Sequence, residues 1–193
     1  MSIDLKAAHL IRPAQSAPGP DLLVRARSAA ATRGRLACGG VDVPLDVPCA
    51  LGRGGITRFK REGDGATPAG RFALRGVYYR PDRVARPRTG LPVVPLSPEM
   101  GWCDAPDHPR YNRLVTRPFD ASHEAMWRDD PLYDIVVVLD CNLCPAVPGR
   151  GSAIFFHLAR PGYTPTQGCV AVALRDMRLL LARCGPGSHM RIV

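Results

Sequence analysis

Twenty prolines and nineteen glycines punctuate this 193-residue chain, and few stretches run long enough between them to form an extended helix. Proline removes a backbone donor and fixes φ, and glycine costs conformational entropy inside regular elements, so such a chain favours short strands joined by turns. The apolar runs fit that reading. Tyr133 to Asp140 (YDIVVVLD) is the clearest strand, and its lack of alternation predicts burial on both faces. Asp21 to Arg27, Gly34 to Leu51, Arg71 to Tyr79, Ser152 to Leu158, the stretch opened by Cys169, and Met190 to Val193 read as further strands. Between Arg175 and Cys184, Met177, Leu180 and Leu181 recur at helical spacing before Gly185-Pro186, which predicts the one helix. Residues 80–131 read as Pro-rich and irregular, anchored by Trp102, Tyr111 and Trp127; Trp102-Cys103-Asp104 and Tyr111-Asn112 suit the lining of a substrate cleft equally well.

Length and a 46% hydrophobic content predict one domain over residues 21–193, preceded by a loose Pro/Ser/Ala-rich arm over residues 1–20. The net charge of +9 comes almost wholly from arginine, with Lys6 and Lys60 the two lysines. Its arginines are scattered apart from Arg80, Arg83, Arg86 and Arg88, and no nucleic-acid-binding motif accompanies them, so no nucleic-acid partner is expected. A positive surface suits an acidic substrate instead. No segment has the length of a membrane span, and the first residues lack the apolar core of a secretory signal. The expectation as written is a cytoplasmic protein, or a periplasmic one if a leader precedes this sequence. Seven irregularly spaced cysteines agree with a reducing compartment better than with a disulfide framework. Cys141-Asn142-Leu143-Cys144 lacks the βαβ context of a redox motif and a second ligand pair for zinc. The remaining cysteines, Cys38, Cys49, Cys103 and Cys184, read as packing residues. His9, His108, His123 and His189 read as surface or turn histidines.

The chemistry concentrates between Ile154 and Val172. An apolar run ends in His157, a Pro/Gly-rich loop follows, and Thr166-Gln167-Gly168-Cys169 leads into a second apolar run. A thiol is a nucleophile as a thiolate, and an imidazole is the common means of making one near neutral pH. Gly168 lets the backbone bend so that its N–H groups face the reacting atom. A buried cysteine with an unrelated histidine is the competing reading of these residues alone.

Two motifs tip the balance: Gly63-Asp64-Gly65-Ala66-Thr67-Pro68-Ala69-Gly70 before a strand, and Thr166-Gln167-Gly168-Cys169 twelve residues after His157. Together they resemble the L,D-transpeptidase catalytic-domain (YkuD-like) family, over roughly Asp21 to Val193. The resemblance implies a mainly β fold, a twisted β-sandwich with one or two short helices. It implies a cysteine acyl-transfer enzyme acting on peptidoglycan stem peptides, between a diamino acid and the following D-alanine, with no metal or organic cofactor. Cys169 would be the nucleophile, His157 its base, and the N–H groups of Gly168 and Cys169 the oxyanion donors. Thr166, Arg160, Gln167 and Tyr163 would face substrate, Arg160 as a carboxylate-binding charge. The pattern departs from the family at Leu158, Gln167 and Ala171, where many members carry Gly, His and Arg or Asn, and in a shorter His-to-Cys spacing. Stem tetrapeptides or muropeptides are the expected partners, with water the favoured acceptor over a second stem. Peptidoglycan cross-linking and non-catalytic wall-fragment binding are the alternatives.

Overall fold

The computed structural model describes residues 19–39 and 44–193; the arm expected over residues 1–20 lies almost wholly outside them, as does His9. Fourteen strands are formed there: β1 (Asp21–Ala26), β2 (Arg33–Cys38), β3 (Leu45–Ala50), β4 (Ile56–Thr57), β5 (Thr67–Pro68), β6 (Gly70–Tyr79), β7 (Val93–Pro95), β8 (Met100–Cys103), β9 (Arg113–Thr116), β10 (His123–Ala125), β11 (Ile135–Leu139), β12 (Phe155–Leu158), β13 (Val170–Val172) and β14 (His189–Ile192). Among the described residues the single α-helix, α1, spans Leu174–Leu181. The chain is mainly β, as expected.

The main sheet runs β11-β12-β13-β3-β2-β1-β14-β6-β7, and β11 also pairs with β6, so the sheet closes on itself. Most neighbours are antiparallel, but β12 and β13 are parallel, with Phe156 beside Val170, His157 beside Ala171 and Leu158 beside Val172. Because side chains alternate across a strand, Phe156, Leu158, Val170 and Val172 share one face while Phe155, His157 and Ala171 share the other. The first face joins the larger core, where Leu22, Leu36, Val137 and Met190 pack with Met177, Leu180 and Leu181 of α1. The second face joins a smaller cluster of Tyr78, Trp102, Met126, Tyr133, Val136, Val138, Phe155 and Cys169. That division explains the unalternating Ile135–Leu139 run: every residue of β11 is buried, and the strand serves two cores.

The smaller core corrects one expectation. Residues 80–131 are not irregular, because they carry a second sheet ordered β10-β8-β9. Trp102 on β8 lies edge-on to Phe155, centroids 5.2 Å apart, and donates its indole N–H to Asn112 Oδ1 at 2.9 Å. Asn112 Nδ2 in turn donates to the carbonyls of Cys141 and Asn142, and its Oδ1 accepts from the N–H of Ala153. One buried amide thus ties the small sheet to the loop entering β12. Trp102 and Tyr111 are buried anchors, and Trp127 stacks under the Arg80 guanidinium at 3.7 Å. The arginine cluster noted in the sequence is partly consumed by structure: Arg80 pairs with Asp82 and Arg83 with Asp134.

Within α1, Leu180 is fully buried and its neighbour Leu179 is 42% exposed. Leu180→Ala should lower unfolding free energy by about 3 kcal/mol through lost burial and a residual cavity. Leu179→Ala should stay within about 0.5 kcal/mol of the parent. Urea denaturation of the two variants checks both.

Candidate active site

The Thr-Pro-Ala-Gly loop and the Cys169 segment, a hundred residues apart in sequence, meet through a relay of backbone contacts. Thr67, fully buried, accepts the Gly52 N–H on its hydroxyl at 2.8 Å. Gly52 forms a bridge to Thr166, with the Thr166 N–H donating to Leu51 O and the Arg53 N–H to Thr166 O, both at 2.8 Å. Thr166 then closes the turn: its hydroxyl donates to Cys169 O at 2.7 Å and accepts the Gly168 N–H at 3.1 Å. Gly168 has φ 131°, and a Cβ there would lie 2.8 Å from Ala66 O, so both conformation and space require glycine. The Gly168 N–H, expected to face an oxyanion, is thus bonded to the Thr166 hydroxyl.

Cys169 is buried at the floor of a cleft of about 440 Å³. Its Sγ donates to Ala153 O and accepts the Phe155 N–H, both at 3.3 Å. Burial pushes the thiol up to about 12, with Glu124 adding to the shift, so the resting group is a neutral thiol. His157 lines the same cleft from the adjacent strand. Its Nδ1 lies 2.9 Å from Leu158 O. A carbonyl only accepts, so Nδ1 carries the proton and Nε2 keeps its lone pair for a substrate or thiol proton. Burial pulls the imidazole down to about 4, holding it neutral through the physiological range.

Tyr133 packs edge-on to His157, ring centroids 5.3 Å apart, and its hydroxyl donates to Glu124 Oε1 at 2.6 Å. Burial raises the pKa of Glu124, and burial with the Glu124 charge holds Tyr133 well above its ordinary value. Beyond them, Arg128 makes a two-point bond to Asp130, whose carboxyl it holds at about 2.

Of the residues expected to face substrate, Thr166, Gln167 and Arg160 line the cleft. Arg160 stands at its rim, 57% exposed, with its guanidinium 3.6 Å from Asp130. Tyr163 is not among the lining residues. Gly162 and Tyr163 both take positive φ, and the tyrosine turns toward Ala173 and Asp176 at the start of α1. Ala171 sits directly beside His157, so the short side chain there leaves the imidazole open to the cleft. Asp104, which the Trp102-Cys103-Asp104 run offered as a candidate cleft residue, also lines it. Glu124, Tyr133, Arg128 and Lys60 line it too and were not singled out from sequence. Glu124 lies in the segment read as irregular, and no local pattern marked it. Lys60 carried a faint signal as one of two lysines in an arginine-rich chain. The Cys141/Cys144 pair is split, Cys141 buried and Cys144 exposed. Among the described residues no group of three or more His, Cys, Asp or Glu is placed to hold a metal ion.

The family model of the L,D-transpeptidase catalytic domain matches residues 31–192. The chain belongs to this family. No curated protein and no solved structure matches it. The match covers every element from β2 to β14, including both motifs that the Thr67–Gly52–Thr166 relay joins. Membership makes the chain an L,D-transpeptidase-type enzyme, and the family acts on peptidoglycan substrates, consistent with a stem-peptide partner.

Activity should be level through neutral pH and fall as pH drops toward about 4, where His157 takes up a proton and ceases to be a base. Stability carries the same signature. Between the ordinary value of 6.5 and the folded value of about 4, the unfolded chain binds this proton and the folded chain does not. Stability contributed by neutral His157 is therefore fully present above 6.5 and is lost, by on the order of a few kcal/mol, as pH falls to about 4. Urea titrations of the parent and His157→Gln at several pH values read this slope, which the variant should flatten. Gly168→Ala should lower kcat/KM by at least about 100-fold, because the turn that aims Cys169 has to move.

Proposed function

We propose that the protein is a cysteine acyl-transferase that cleaves stem tetrapeptides at the diamino acid–D-alanine bond, with water as the preferred acceptor. The observation that carries this reading is the shared cleft: a buried thiol on its floor and a neutral imidazole on the next strand, with the Nδ1 proton held by Leu158 O. Substrate entry would draw the thiol off Ala153 O. Its proton passes to His157 Nε2 as Sγ attacks the carbonyl carbon of the diamino acid's L-centre. The carbon–nitrogen bond then breaks, and D-alanine leaves with the proton from His157. In the second half, His157 takes a proton from water as the water oxygen attacks the thioester. The thiol is restored and a tripeptide is released.

The choice of water rests on size. A cleft of about 440 Å³ suits one short peptide ligand, whereas an amine acceptor from a second stem needs additional surface. Arg160 at the rim and Gln167 on the 164–167 loop, both of which line the cleft, would meet the ends of such a peptide. On this reading the enzyme trims free wall fragments, a recycling step.

Incubation with a purified tetrapeptide, with and without a second stem as amine donor, should give tripeptide and free D-alanine by mass in both cases. A product consisting only of cross-linked dimer would reverse the choice of acceptor. Cys169→Ala should lower turnover by at least about 1,000-fold. An electrophilic acylating probe such as a carbapenem should add its mass to the Cys169 peptide in preference to the other six thiols; equal labelling would favour a non-catalytic binder.

A further inference from the structure

The Gly168 N–H is bonded to the Thr166 hydroxyl, and a cation stands close to the same turn. Lys60 is 9% exposed and lines the cleft with Cys169. Its stem runs across two glycines. A Cβ at Gly151 would lie 2.8 Å from Lys60 Cγ and 3.0 Å from Cε, and a Cβ at Gly168 would lie 3.5 Å from Nζ. Both glycines have positive φ, 91° and 131°, so neither position readily takes a side chain that would block the passage. The ammonium therefore ends against the residue preceding the nucleophile.

Its position is held from behind. Nζ bonds Asp64 Oδ1, and that carboxylate also accepts the N–H of Ala66 on Oδ1 and of Arg61 on Oδ2, each at 2.8 Å. A carboxylate fixed by two backbone donors is a rigid support for a flexible lysine. An ammonium has three N–H donors, and Asp64 engages one. The cleft also contains Glu124 and Asp104, and Asp104 Oδ1 is buried with no hydrogen-bond partner. A sulfur anion or an acyl oxyanion formed in that company needs a compensating charge. Arg160 at the rim is engaged with Asp130, as is Arg128.

We propose that Lys60 is a catalytic residue: its ammonium, set by Asp64 and admitted by Gly151 and Gly168, stabilises the negative charge that passes from the Cys169 sulfur to the acyl oxygen. Lys60 stays protonated throughout, and the transferred proton travels between Cys169, His157 and the leaving or attacking group. The inference rests on Cys169 being the nucleophile.

Three variants test it against stem-tetrapeptide hydrolysis. Lys60→Gln keeps a hydrogen bond to Asp64 and removes the charge; Lys60→Met/Asp64→Asn removes the pair without leaving a lone carboxylate; Cys169→Ala is the reference. Both Lys60 variants should lose about 100-fold in kcat/KM, mostly in kcat. Their Cys169 alkylation by iodoacetate relative to iodoacetamide, read on the Cys169 peptide by mass, should fall roughly tenfold as the anionic reagent loses its attraction. Parent-like turnover and an unchanged reagent ratio in Lys60→Gln would overturn the proposal. So would recovery of turnover in the double variant, which would trace the loss to an unpaired Asp64. Activity surviving in Cys169→Ala would instead sink the nucleophile assignment, a separately readable result.

Discussion

Parallel pairing of β12 with β13 sets Phe156 beside Val170, His157 beside Ala171 and Leu158 beside Val172. Side chains on paired strands alternate in step, so this register sends one set of residues into the core under α1 and leaves His157 on the face that meets the cleft. A slip of one residue would exchange the two sets, burying the imidazole among Met177, Leu180 and Leu181 and turning Phe156 into the cleft. The register is held because both faces are packed, and the smaller core, built on Trp102, Tyr133 and Phe155, makes the cleft-side face as demanding as the other. The same face carries Cys169, whose thiol bonds the Phe155 N–H across the pair.

A second constraint acts at right angles to the strands. Thr67 holds Gly52, the Leu51–Arg53 segment holds Thr166, and Thr166 holds both ends of the turn that presents Cys169. Each link is a backbone hydrogen bond or a threonine hydroxyl, that of Thr67 accepting and that of Thr166 both donating and accepting, which leaves little freedom for drift in the position of Cys169. The electrostatics follow from the same burial. Desolvation keeps thiol and imidazole uncharged at rest, so the site carries no standing ion pair between them. Charge appears there when the sulfur attacks, which is when fixed charges near the turn gain their effect.

Much of the fold was legible because its strands are long or uniformly apolar. The Ile135–Leu139 run, β6 and α1 announced themselves through burial pattern and spacing, although the helix stops at Leu181, short of the Cys184 end that Gly185-Pro186 indicated. The small sheet was not legible. Its strands are three or four residues long, and their order depends on contacts remote in sequence, Trp102 with Phe155 and Asn112 with the 141–142 and 153 backbone. Glu124 went unnoticed for that reason. Tyr163 lay close enough in sequence to be expected at the cleft, but the positive φ of Gly162 and Tyr163 turns it toward α1.

Sequence by itself marked the family, through the Thr67-Pro68-Ala69-Gly70 and Thr166-Gln167-Gly168-Cys169 motifs in a strand-rich frame, and with it the candidate thiol and imidazole, since residue type and local spacing suffice to mark such groups. Tertiary structure alone decided how they are deployed. Only packing could show that the Gly168 N–H serves the turn, that Leu158 O fixes the histidine tautomer, and that Lys60 reaches the Gly168–Cys169 turn through two glycines. Those are relations between groups brought together from distant segments, and the direction of a hydrogen bond or the path of a side chain exists only once the chain has closed around it.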